Sequence, residues 1–136
     1  MKNPIRFILL DDDLFTLTIE TKLIRNCCRK AEIISFSQGK EAIEYMEVDA
    51  FKDSSQDTIF LTDLHMPEID VFDLLDRMGS TFNKRMDQLH IFVLSGAACL
   101  DEIRKVLSYS CVTGFYQKPL TADKLSHIIT CVEYPL

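Results

Sequence analysis

Residues 5–13 read IRFILLDDD, six almost wholly apolar positions that stop at three consecutive aspartates. So short an apolar run suits a parallel strand buried on both faces, and the abrupt change to carboxylates marks the end that opens to solvent. Working outward, Leu14, Leu17, Leu23, Ile24, Cys27 and Cys28 recur near a helical period between Lys and Arg residues, predicting an amphipathic helix over 14–30. The couplet then repeats. Strands are expected at 32–36, 58–62, 90–94 and 112–116, and helices at 38–48, 71–78, 100–109 and 122–132. Five alternating βα units predict an α/β protein with a doubly wound parallel sheet, its right-handed crossovers laying helices alternately above and below. Ligands of such sheets bind beyond the carboxyl ends of the strands. The stretches 49–57 and 79–89 are somewhat long, polar loops.

A length of 136 residues gives enough core for one domain and too little for two ordinary ones, so 1–136 is expected to be a single unit. Apolar residues at 47% and charged residues at 26% match a globular chain, and four Gly with four Pro exclude low complexity. The net charge of −6, without a Lys/Arg run, argues against direct binding to nucleic acid or to an anionic membrane. Cys27, Cys28, Cys99, Cys111 and Cys131 are odd in number and never form a CxxC, so neither a disulfide framework nor a zinc knuckle is expected. A reducing cytoplasm fits them. The apolar run near the N-terminus is too short for a signal sequence or a membrane span.

The predicted strand ends carry the chemistry. Asp11, Asp12 and Asp13 follow the first strand, Asp63 the third, Ser95 the fourth, and Lys118 with Pro119 the fifth. In a sheet ordered 2-1-3-4-5 the first strand lies beside the third, so Asp11 and Asp12 face Asp63 across one crevice. Carboxylates that close repel one another, and a hard divalent cation with oxygen ligands, Mg²⁺ in a cytosol, compensates them. Ser95 supplies a hydroxyl and Lys118 a point charge suited to a phosphoryl oxygen.

FILLDDD, TDLHMP, LSGA and GFYQKPL, in this order and at these intervals, resemble the response-regulator receiver domain over practically the whole chain. The resemblance implies a flavodoxin-like (βα)5 fold and a phosphorelay role without enzymatic turnover of a separate substrate. It makes Asp63 the phosphoacceptor, with Asp11, Asp12, Asp63 and the backbone carbonyl of His65 holding Mg²⁺. Lys118 would contact the phosphoryl group, Ser95 would be the switch hydroxyl, Phe115 the switch aromatic, and Pro119 a cis-proline. The implied partners are a histidine kinase or histidine phosphotransfer protein, and a downstream target or second copy bound through the fourth and fifth βα units. With no segment expected after the fifth helix, output is expected through protein contacts.

Plainer roles fit some of these residues. Asp13 taken alone is an N-cap. His90 and His127 lack a second ligand at metal spacing, and the side chain of His65 is assigned no metal role. The family's MPxMDG pattern appears here as Met66, Pro67, Glu68, Ile69, Asp70 and Val71, so a β-branched residue replaces glycine. Positive φ at Val71 would strain it; Asp70 as a helix N-cap avoids this. Gly96 and Ala97 leave the side next to Ser95 open.

Two other functions compete with this one. A haloacid-dehalogenase-like phosphohydrolase would use the DDD run as a DxD motif, but Phe15 occupies the position where that motif expects Thr or Val. After Lys118 only Asp123 and Glu133 are acidic. A phosphorylation-independent pseudo-receiver would retain the fold without the chemistry, and the intact set of Asp, Ser and Lys counts against it.

Overall fold

The computed structural model describes residues 4–48, 56–81 and 88–133, so most of the stretch 49–57 and of the stretch 79–89 lies outside them. The strands are β1 (Arg6–Leu10), β2 (Glu32–Phe36), β3 (Thr58–Asp63), β4 (Leu89–Ser95) and β5 (Val112–Gln117). Between and after them run α1 (Leu14–Cys27), α2 (Gly39–Val48), α3 (Val71–Thr81), α4 (Leu100–Leu107) and α5 (Ala122–Glu133). All strand pairs are parallel, in the order β2-β1-β3-β4-β5. Every residue of β1 and β3 is buried, as their unbroken apolar runs require, whereas the edge strands β2 and β5 are only partly covered.

The helices do not alternate between faces. Leu17 and Ile24 of α1 share one core with Leu125, Ile128 and Val132 of α5. Ala42, Ile43 and Met46 of α2 join Leu74, Leu75 and Met78 of α3 and Val106 of α4 on the other face. The cause is strand order. The step from β1 to β2 runs one way across the sheet and every later step runs the other way, so a fixed crossover hand puts α2, α3 and α4 opposite α1.

The inner face of α1 also differs from the simple apolar pattern. Leu14 is 67% exposed and Cys27 lies on the surface, while the buried positions are Leu17, Glu20 and Ile24. Helix α1 ends at Cys27 rather than at 30, where the Cys28 N–H closes onto Ile24 O at 2.7 Å and the chain turns toward β2. Val71 carries no left-handed strain, since no described residue has positive φ. It opens α3 with its side chain buried, while Asp70 Oδ1 accepts from the Phe72 N–H at 2.8 Å and caps the helix.

Candidate functional site

Strand ends converge where the order reverses, between β1 and β3. Asp11 follows the last residue of β1, its N–H bonded to Phe36 O at 3.1 Å, which anchors it to β2 as well. Asp63 is itself the last residue of β3, and Ser95 of β4. Carboxylate oxygens of Asp11, Asp12 and Asp63 lie within 4.8 Å of one another. Asp11 is 2% exposed and Asp63 9% exposed, whereas Asp12 faces solvent. These are hard oxygen donors, crowded and negatively charged, and the donor set fits Mg²⁺.

Lys118 reaches into this cluster from the end of β5. Its Nζ stands 2.6 Å from Asp11 Oδ2 and 3.3 Å from Asp63 Oδ1. Its N–H donates to Ser95 O at 2.9 Å, and the Lys118–Pro119 peptide bond is cis. Burial works against the ammonium, but the hydrogen bond and charge of Asp11, joined by the charge of Asp63, outweigh it and raise the Lys118 pKa above the usual lysine value. Burial is also the main cause that raises Asp63, reinforced by the charge of Asp11 and opposed by Lys118 and by the His65 N–H.

Ser95 is 1% exposed, and its Oγ accepts from the Ala97 N–H at 3.2 Å. Phe115, in the interior of β5, packs half-buried against the core shared by α2, α3 and α4. Asp13 caps α1: its side chain accepts from the Phe15 N–H at 3.0 Å and the Thr16 N–H at 3.5 Å. Bonds from the Thr16 side chain and from Phe15 hold its carboxyl below the usual range.

Two features escape the strand-end pattern. Glu20 is 4% exposed, and its carboxyl forms no hydrogen bond or ion pair with a described residue. Burial first, then the charges of Asp11 and Asp63 against the opposing pull of Lys118, push its carboxyl up to about 7. The signal for it is helical phase: Leu17, Glu20 and Ile24 stand three and four apart on the inner face of α1. The second is the imidazole of His65, whose Nε2 lies 2.9 Å from Glu102 Oε2 on α4. No local pattern signals a contact across 37 residues.

No family model matches the chain, and no curated protein matches its sequence. Solved structures do. The two-component response regulator from Cytophaga hutchinsonii superposes with a TM-score of 0.85 at 25% identity, covering 98% of each chain. The response regulator receiver protein from Dyadobacter fermentans gives 0.83 at 21% identity, over 95% of this chain and 98% of that one. A chain of the CheX-CheY-BeF3-Mg²⁺ complex from Borrelia burgdorferi gives 0.75 at 23% identity, over 96% of this chain and 90% of that one. In strand order and helix placement along nearly its whole length, the chain is built as a response-regulator receiver domain.

Proposed function

We propose that the protein is a phosphoacceptor in a two-component phosphorelay, taking a phosphoryl group onto Asp63 from a histidine kinase or histidine phosphotransfer protein. The observation that carries this is the convergence of Asp11, Asp12, Asp63 and Lys118 at the carboxyl ends of three strands, with one ammonium already bonded to two of the carboxylates. An Asp63 oxygen attacks phosphorus, an O–P bond forms, and the donor's P–N bond breaks with its electron pair leaving on the imidazole. Lys118 needs to move only from a carboxylate oxygen to a phosphoryl oxygen to follow the transferred charge. Asp11, Asp12, Asp63 and the main-chain carbonyl of His65 would hold a Mg²⁺ ion, which would supply charge neutralisation for the phosphoryl oxygens.

Ser95 and Phe115 serve this site as the switch pair. The buried Ser95 hydroxyl opens the loop into α4, and Phe115 packs against the same layer of helices, so a hydroxyl drawn toward the phosphoryl group alters the surface of the fourth and fifth units. That surface is where a downstream protein or a second copy would bind, in the cytoplasm. No described helix is long and apolar enough to cross a membrane. The phosphohydrolase alternative would need an available nucleophile at Asp11, but both oxygens there are engaged, Oδ2 by Lys118 and Oδ1 by the Asp13 N–H, whereas at Asp63 Lys118 and the His65 N–H both meet Oδ1.

Intact-mass measurement after incubation with acetyl phosphate or phosphoramidate tests the function. One phosphoryl group is expected on the parent, dependent on Mg²⁺ and absent from Asp63→Asn. A phosphoryl group retained by that variant, or a stable one on a histidine, overturns the proposal.

A further inference from the structure

The segment following Asp63 is tied to α4 by side chains. Glu102 uses both oxygens: Oε2 meets His65 Nε2 at 2.9 Å, and Oε1 accepts from the Cys99 N–H at 3.1 Å, at the N-cap of α4. One helical turn on, Lys105 Nζ sits 4.0 Å above the Phe72 ring. The Tyr109 ring stacks on that same ring with centroids 6.2 Å apart. Positions 102 and 105 lie three apart on one stripe of α4, and Tyr109 follows two residues past the end of that helix. Residue 65 lies near the start of the loop joining β3 to α3, and residue 72 is the second residue of α3. The stripe therefore meets the chain that begins two residues after Asp63.

We propose that this stripe is a direct coupling route from the Asp63 loop to α4, separate from Ser95 and Phe115, in which Glu102 is a positioning residue that ties the His65 main chain to the first turn of α4. The proposal rests on the phosphoacceptor function, because it takes the His65 carbonyl as part of the cation site. The His65 and Glu102 side chains are 53% and 33% exposed, so their pairing contributes little to stability and its consequence is geometric. A loop that shifts to meet a cation must carry Glu102 with it or break the pair. Because the other Glu102 oxygen holds the α4 N-cap, the first turn of that helix is displaced or released in step.

Backbone amide NMR during a Mg²⁺ titration tests this. In the parent, amides at 11 and 12 and those at 99–105 are expected to shift together. In His65→Ala, which leaves the helix cap intact, the shifts at 99–105 are expected to be lost while those at 11 and 12 persist. Glu102→Ala should lose the same shifts, the double variant should lose no more, and Glu102→Gln, which can bridge both partners, should retain them. Shifts at 99–105 that survive in His65→Ala overturn the route, as does their loss in Glu102→Ala alone, which would make Glu102 a capping residue only. A parent with no Mg²⁺ response at 11 and 12 overturns the phosphoacceptor function and this route with it. A parent responding at 11 and 12 but not at 99–105 overturns the route alone.

Discussion

The Lys118 ammonium lies between two aspartates, 2.6 Å from Asp11 Oδ2 and 3.3 Å from Asp63 Oδ1, so the end of β5 neutralises the ends of β1 and β3. The same ammonium competes with any cation for those oxygens. Replacing Lys118 by Met therefore acts with opposite sign on two quantities. Stability in EDTA is expected to fall by roughly 1–3 kcal/mol, because two largely buried carboxylates lose their counter-charge. Mg²⁺ affinity is expected to rise and phosphoryl uptake to fall. Urea denaturation and Mg²⁺ titration of parent and variant check the pair of signs; weaker Mg²⁺ binding in the variant would contradict the competition.

Asp11 and Asp12 separate in the same way. Either change to Asn removes a negative ligand and is expected to weaken Mg²⁺ binding. Asp12 faces solvent, so Asp12→Asn relieves repulsion and leaves stability unchanged or higher. Asp11 is buried and is the nearer partner of Lys118, so Asp11→Asn is expected to cost about 1–3 kcal/mol. In EDTA the thermal melt of Asp11→Asn should fall below the parent and that of Asp12→Asn at or above it.

Glu20 makes stability depend on pH. Its folded-state pKa of about 7 lies above the ordinary 4.5, so folding favours the protonated form. Its contribution is intact below 4.5 and is lost as pH rises through 7. By linkage the loss totals roughly 3 kcal/mol at the alkaline end. Glu20→Gln removes it, so the variant is expected to gain stability over the parent between about pH 5 and about pH 8. Denaturation curves in EDTA at both ends of that window measure the difference; parallel curves would show that Glu20 does not titrate there.

Much of this molecule is legible in its sequence because buried parallel strands leave an unmistakable mark. IRFILL and its counterparts are apolar at consecutive positions, and the polar residue that ends each run is the residue at the site: Asp11, Asp63, Ser95. The strand register then aligns those ends without further information. Glu20 is hidden because a glutamate among lysines and threonines reads as solvent-facing, and only its phase between Leu17 and Ile24 betrays it. The sidedness of the helices follows from strand order rather than from any helix's own sequence. The contact of His65 with Glu102 depends on how α4 lies over the β3–α3 loop, which no local pattern encodes.

Two glycines test the packing, one beside the loop that follows Asp63 and one far along α3. A Cβ at Gly39 would stand 2.6 Å from Ile69 Cγ2, in the loop that follows Asp63, while the Gly39 N–H is bonded to Glu68 Oε1. Cγ2 sits on the branched Ile69 Cβ and can clear only by a restricted χ1 rotation or a backbone shift, so Gly39→Ala is expected to destabilise by about 1–3 kcal/mol. At Gly79, inside α3, a Cβ meets nothing within 4 Å, and Gly79→Ala is expected to stabilise by about 0.5–1 kcal/mol. Urea midpoints displaced in opposite directions check both.

Ser95 is bonded through its carbonyl to the Lys118 N–H, and Phe115 lies two positions before Gln117, the strand partner of Ser95. A phosphoryl group that draws in the Ser95 hydroxyl and the Lys118 ammonium therefore acts on β4 and β5 at adjacent points, and β5 carries the change to α5. Helix α4 has its own connection through Glu102. Beryllofluoride with Mg²⁺ is accordingly expected to change amide exchange across α4, β5 and α5. Phe115→Ala should lose the response of β5 and α5 while the first turn of α4 still responds. A partner reads the change only to the extent that it binds one state better than the other. Protection altered around Asp11 and Asp63 alone would remove the switch and leave phosphoacceptance, the behaviour of a phosphate shuttle or sink.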